Sequence, residues 1–185
     1  MKFLDQIRLK TAHYLLERKA KNRIRRMKAM DLDQIQSLAV IFKVENPESR
    51  KLIANFIQPF LLKGVECRVY GYIHETDDRY NYISDKIYTF FSIKDIDFAY
   101  RPKDGVMDGF IDKEWDLLLL ANQNFHFPLK WMLNLSKSRF KVGPSGYYNE
   151  ELDFMIEGKN LSSEVIINQI KHFLGELKIT HNEMA

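Results

Sequence analysis

Residues 115–143 read WDLLLLANQNFHFPLKWMLNLSKSRFKVG, and this stretch decides the fold. The run from Asp116 to Ala121 is short, continuous and apolar, as in a strand buried on both faces. Asn122 to His126 is a polar loop, and Pro128 suits a first helical turn, where its missing N–H is harmless. Leu129, Met132 and Leu133 then recur at helical spacing, and residues 140–143 begin another strand. Strand, crossover helix and strand make a parallel βαβ unit.

Working outward, a matching unit precedes it. Residues 37–44, SLAVIFKV, form a strand, and Asn46 and Pro47 begin a helix. Leu52, Ile53, Phe56, Ile57, Phe60 and Leu61 make the apolar stripe of that helix. Pro59 is expected to kink or end it, and Gly64 to terminate it. Residues 67–73, CRVYGYI, return as a strand, and residues 87–91, IYTFF, add a third. Between the third strand and residue 115 the pattern is irregular. After a loop at 144–151, residues 152–157 give the sixth strand. Asn160 or Ser162 caps a last helix striped by Ile166, Ile170, Phe173, Leu174 and Leu177, and residues 180–185 should fray. The expected fold is α/β: a single Rossmann-like domain over residues 35–179, doubly wound, mostly parallel, with strand order 3-2-1-4-5-6. A long basic N-terminal helix over residues 1–30 precedes it.

The length of 185 residues suits one domain, and a hydrophobic fraction of 45% with 29% charged residues is ordinary for a globular chain. Charge is unevenly placed. Residues 1–30 hold ten Lys/Arg against Asp5 and Glu17, whereas the other 155 hold 18 against 23 acids, so the net +3 conceals a basic arm on a mildly acidic body. The arm has no Gly or Pro before residue 29, which favours one helix over residues 2–28. Phe3, Leu4, Ile7, Tyr14 and Leu15 share one face that could dock on the body, though the body is expected to fold without the arm. Cys67 is alone, so neither an internal disulfide nor a thiolate zinc site is possible. The first ten residues lack the apolar core of a signal peptide, and no apolar run approaches the ~20 residues of a membrane span. A cytoplasmic location is expected.

The pieces VIFKVENPESRKLIANFI, VECRVYGYI, FSIKDIDF, residues 115–143 and LDFMIE, in that order, resemble a family of small uncharacterised bacterial α/β proteins with no assigned activity. The resemblance covers most of the chain and implies fold more than function. More distantly, residues 116–143 resemble the N-terminal Rossmann-like half of lipopolysaccharide heptosyltransferases. Those enzymes need a second such half to hold the sugar nucleotide, so the resemblance implies no transferase activity here.

Chemistry at the carboxyl edge of such a sheet would fall to Asn46, His74, Asn122, Asn124, His126, Ser145 and Tyr147. Phosphate binding after the first strand is disfavoured, because Glu45 and Glu48 flank Pro47 and no glycine-rich turn is present. The turn at residues 143–146, with Lys141 near, is the better anion candidate, against the plain reading of a turn. The five histidines are scattered without metal-ligand spacing, Ser145 lacks a nucleophile elbow, and Trp115 and Trp131 read as packing residues. No catalytic residue, metal or cofactor is indicated. Arg18, Lys19, Lys21, Arg23, Arg25, Arg26 and Lys28 form the one feature above background. They read as a solvated face, as a nucleic-acid contact with RNA or a ribonucleoprotein, or as a membrane-surface contact. The expected function is a non-enzymatic binding or adaptor protein with an RNA partner. A small-molecule or nucleotide-sugar binder and a peripheral membrane adaptor are the alternatives.

Overall fold

The computed structural model describes residues 2–21, 23–28, 34–74 and 82–182, with side chains between 4 and 173. Six strands, β1 (Ser37–Lys43), β2 (Glu66–Ile73), β3 (Tyr88–Ser92), β4 (Leu117–Leu120), β5 (Phe140–Pro144) and β6 (Phe154–Ile156), form one sheet. Its order is β3-β2-β1-β4-β5-β6, and every pairing is parallel. The α/β Rossmann-like expectation and its strand order therefore hold. Helices α1 (Lys2–Ala20), α3 (Asp104–Met107) and α4 (Phe127–Leu135) supply the core on one face. Helices α2 (Pro47–Leu62) and α5 (Ser163–Asn182) cover the other.

The four leucines of β4 show why a continuous apolar run was needed. Leu118 and Leu120 enter the core under α4, and Leu117 and Leu119 enter the core under α2 and α5. Alternation sends successive side chains to opposite faces, so a strand with both faces covered has no solvent side. Gly143 on β5 completes the fit. A Cβ there would lie 2.9 Å from Leu120 Cβ, closer than carbon atoms can approach.

Helix α2 starts as expected: Asn46 Oδ1 accepts from Ser49 N at 2.9 Å, and Pro47 follows. Pro59 does not end it. Pro59 and Asn55, whose carbonyl the proline leaves without its N–H partner, both lie on the exposed side, where water can serve that carbonyl. For α5 the cap is Ser162, whose Oγ accepts from Val165 N. Ile166 and Ile170 are buried, and Phe173 stacks on Phe154 with ring centroids 3.5 Å apart. The side chains of Leu174 and Leu177 lie outside the described residues. The helix continues to Asn182, past the point where fraying was expected, and residues 183–185 are outside the described set.

The N-terminal arm differs from expectation in two ways. First, α1 turns a different face inward. Ala12 and Leu16 are fully buried and Arg8 and Leu15 half-buried, whereas Leu4, Ile7 and Tyr14 are exposed. Residues 8, 12 and 16 repeat at four-residue spacing, and the small Ala12 lets the helix lie close against α4. Phe3 has no described side chain.

Second, the helix stops at Ala20, and residues 23–28 have no regular secondary structure. The physical reason lies at the end of α4. Its last carbonyls have no intrahelical donors and attract cations. Arg23 Nη1 donates to the Leu135 carbonyl, and also to Ile111 O at 2.5 Å. Arg25 donates to the Ser138 carbonyl at 2.5 Å and grips Asp153 with both arms of its guanidinium. Lys141, almost wholly buried on β5, donates from Nζ to Leu133 O at 2.5 Å, and burial lowers its pKa to about 7. Outside a helix, the chain turns Arg23 and Arg25 inward and leaves Ile24 89% exposed. A helix could not present both arginines to the same end of α4.

This pinning makes a stability prediction. Arg25→Ala leaves the Asp153 carboxylate, only 9% exposed, without its cation. The expected loss is about 2–3 kcal/mol in urea unfolding, and adding Asp153→Asn should recover part of it. An effect below about 0.5 kcal/mol would return Arg25 to the ordinary surface charges.

At the amino edge, buried Asp116 joins three strands. One carboxylate oxygen accepts from Gln36 N and Ser37 N, each at 3.0 Å, and from Ser37 Oγ; the other accepts from Arg139 Nη1 at 3.1 Å. A charge this buried is tolerated because each oxygen is hydrogen-bonded.

Candidate ligand-binding site

Among the described residues, two hollows of opposite character lie at the carboxyl edge of the sheet. One is a groove of about 340 Å³ between α2 and the start of α5. Asn46 lines it, but so do Glu45, Glu48 and Glu164, which makes it hostile to anions. Asn46 is itself spent on capping α2.

The other is a cavity of about 470 Å³ on the opposite face, closed on one side by α1. The end of β2 contributes Tyr72 and His74, and the loop after β4 contributes Phe125 and His126. The start of α4 adds Phe127 and Pro128, α1 adds Arg8 and Leu9, and the segment after β3 adds Ile93, Ile96 and Tyr100. Volume and lining are those of a small-molecule pocket: mostly aromatic and apolar, with few polar groups.

Each wall is held in place by its own hydrogen bonds. The Tyr72 hydroxyl and His74 Nδ1 lie 3.1 Å apart, and the rings of His74 and His126 have centroids 5.3 Å apart. His126 N donates to the Tyr148 hydroxyl at 2.7 Å, and that hydroxyl donates to Asn124 O at 3.0 Å. Tyr148 is completely buried, so it fixes the loop that carries His126. Residues 96–102 close on themselves: Asp97 Oδ1 accepts from Ala99 N and Arg101 N, and Ile96 bridges to Pro102. Within that turn Tyr100 has φ of 57°, a left-handed conformation unusual for an aromatic residue. Strain of this kind persists only where surroundings enforce it and concentrates at binding sites. Here Ala99 O accepts from Trp131 Nε1 at 2.8 Å, and the Arg8 guanidinium lies 3.7 Å from the centre of the Tyr100 ring.

Burial, with Lys43 and His74 nearby, pushes the His126 imidazole down to about 4, and its Nε2 is buried without a protein partner among the described residues. The unfolded chain binds this proton with a pKa near 6.5. Between pH 4 and 6.5 it holds a proton the folded chain refuses, so stability rises with pH through that window. An imidazole resonance of His126 titrating near pH 4, and a shallower rise of stability in His126→Gln, are the expected results. A midpoint above 6 would show an open, solvated ring.

Of the seven crevice residues named from sequence, the structure brings only His74 and His126 into this cavity. Asn122 is buried and donates to the Asn124 carbonyl, and Asn124 points its carbonyl at Tyr148. Tyr147 is exposed beside Phe125, with ring centroids 5.8 Å apart. The Ser145 carbonyl accepts from Gln123 Nε2. The turn at 143–146 is a satisfied turn, since Gly146 N donates to Asn149 Oδ1 at 2.7 Å, and Lys141 is committed beneath α4. Trp115 and Trp131 are core residues, as expected. Arg8, Tyr72, Tyr100, Phe125 and Phe127 were missed. Arg8 was counted only as one of ten cations, and no local pattern marks an aromatic as lining a hollow.

Of the seven cations in the arm, Arg23 and Arg25 are bound to the body. Arg18, Lys19, Lys21, Arg26 and Lys28 are exposed, with no side-chain partner among the described residues. No helix among the described residues is long and apolar enough to cross a membrane. No curated protein and no solved structure matches the chain. Residues 8–177 match a family of unknown function (DUF6913), a span that takes in the helix closing the pocket as well as all six strands, and the chain belongs to that family.

Proposed function

We propose that this chain is a small-molecule-binding protein of the cytoplasm whose ligand occupies the cavity between α1 and the carboxyl edge of the sheet. The observation that carries this reading is the prearranged aromatic pocket of about 470 Å³, with two histidines meeting at its wall. In open parallel sheets ligands lie beyond the carboxyl ends of the strands, as this cavity does. The reading is of binding: the described lining is mostly aromatic and apolar, with Arg8, His74 and His126 as its basic groups.

The test is a thermal-shift screen of the full chain against a panel of small metabolites, repeated on Leu9→Trp. Leu9 is half-exposed on α1 at the mouth of the cavity, so a larger ring there fills the site without entering the core. A ligand present at 100 times its Kd stabilises by about 2.7 kcal/mol. A shift of that size, lost in Leu9→Trp, supports the reading. A shift unchanged by the substitution, or none across the panel, removes it.

The exposed, unpartnered cations of the arm favour a second reading, an RNA or ribonucleoprotein contact. Five phosphate contacts would give log K against log salt a slope of roughly −3.5 to −4.5. Replacing Arg18, Lys21 and Arg26 with Glu tests this without disturbing Arg23 or Arg25. Salt-insensitive RNA binding would exclude it, and stronger binding to anionic vesicles would favour a membrane surface instead.

A further inference from the structure

We propose that the pocket selects a small organic monoanion with a flat apolar body, an aromatic carboxylate, its ring against the aromatic wall and its carboxylate at Arg8. This inference rests on the pocket reading above and adds the ligand class.

Charge is the first argument. Among the described residues, Arg8 is the only one with a permanent charge lining the cavity, and no Asp or Glu among them lines it. Lys43, itself 3.9 Å from the Glu45 carboxylate, stands near enough to His126 to depress its protonation. A cationic ligand would meet this charge without a counter-ion, whereas an anion completes the pair.

The state of Arg8 is the second. Its Nε donates to Phe98 O at 2.7 Å and its Nη2 to Asp97 O at 3.3 Å. The guanidinium lies over Tyr100, and Nη1 makes no hydrogen bond among the described residues. The group is thus held by two carbonyls and a ring while keeping N–H donors to spend. That is the preorganisation a carboxylate needs from an arginine.

The remaining surface specifies the body of the ligand. Tyr72, Tyr100, Phe125 and Phe127 line the cavity with aromatic rings, and Ile93 and Ile96 add aliphatic surface. His126 lines the cavity with an imidazole that stays neutral at physiological pH, so it adds no charge of its own. A phosphate ester fits less well. It brings up to two negative charges to a single fixed cation, and the cavity has no glycine-rich turn to supply backbone N–H groups.

The experiment uses the full chain and a matched pair of probes, 2-naphthoate and 2-naphthamide, followed by NMR of the histidine rings and by calorimetry. The acid should perturb His74 and His126 and bind at least about tenfold more tightly than the amide, the worth of one charge-assisted hydrogen bond. Arg8→Met should abolish that preference, so that acid and amide bind alike. Arg8→Lys, which keeps the charge and can still hold the 96–102 turn, should retain part of it if loss of the arginine disturbs folding. Equal binding of acid and amide, with both histidines shifted, overturns the anion inference and leaves the pocket reading standing. Absence of any shift at His74 or His126 up to about 1 mM of either probe overturns both.

Discussion

Leu119→Asp abolishes cooperative unfolding. Leu119 is wholly buried in β4, paired with Val40 on one side and Val142 on the other, and its side chain enters the core beneath α2 and α5. A carboxylate there has no donor within reach and no path to water. Even neutralised by protonation, an unpaired polar group in such a place is unfavourable by several kcal/mol, and the lost leucine contacts add about 2–5 kcal/mol. Together these match the 5–15 kcal/mol that stabilises a typical domain. Circular dichroism and urea titration should find no cooperative transition. Leu119→Met, which keeps volume and polarity, should stay within about 1.5 kcal/mol of the parent. A cooperative transition in Leu119→Asp would mean that one face of β4 reaches solvent.

Deleting residues 1–22 is the second large effect, and it runs against the expectation that the body folds without its arm. Ala12 and Leu16 belong to the same core as Trp131, Met132, Leu133 and Phe127, so removal of α1 bares the outer side of α4. Truncating Leu16 by itself is expected to destabilise by about 2–5 kcal/mol, the usual range for a buried leucine. The deletion also strips Arg8 from the turn that carries Tyr100 and opens the pocket on one side. The shortened chain should be aggregation-prone or molten, with exposed apolar surface detectable by dye binding. A truncated chain that unfolds cooperatively with a melting temperature within about 5 °C of the full one would show α1 to be an accessory. Leu16→Asp in the full chain separates the two contributions, because it removes the packing and leaves Arg8 in place.

The carboxyl-edge pocket and the basic arm stand differently toward the sequence. His74 and His126 were legible because each follows a strand whose end the apolar pattern marks. Their shared cavity was not legible, since Tyr100 and Arg8 reach it from segments with no periodic signal. In the arm, charge counting treated seven cations alike. Only the fold tells Arg23 and Arg25, bound at the end of α4 and on Asp153, from Arg18, Lys19, Lys21, Arg26 and Lys28, which face water.

The sheet itself was determined by sequence alone. Continuous apolar runs such as residues 117–120, separated by capped helical stripes, can bury both faces only in a parallel α/β sheet, and strand length and spacing follow from local pattern. Which face of α1 turns inward, where that helix ends and which polar side chains meet were decided only by tertiary structure. A helix carrying leucines on several sides can dock in more than one orientation, and the choice falls to the fit of Ala12 and Leu16 against α4. The carbonyls left over at the end of α4 likewise draw Arg23 into a non-helical strap, a long-range demand that no local pattern records.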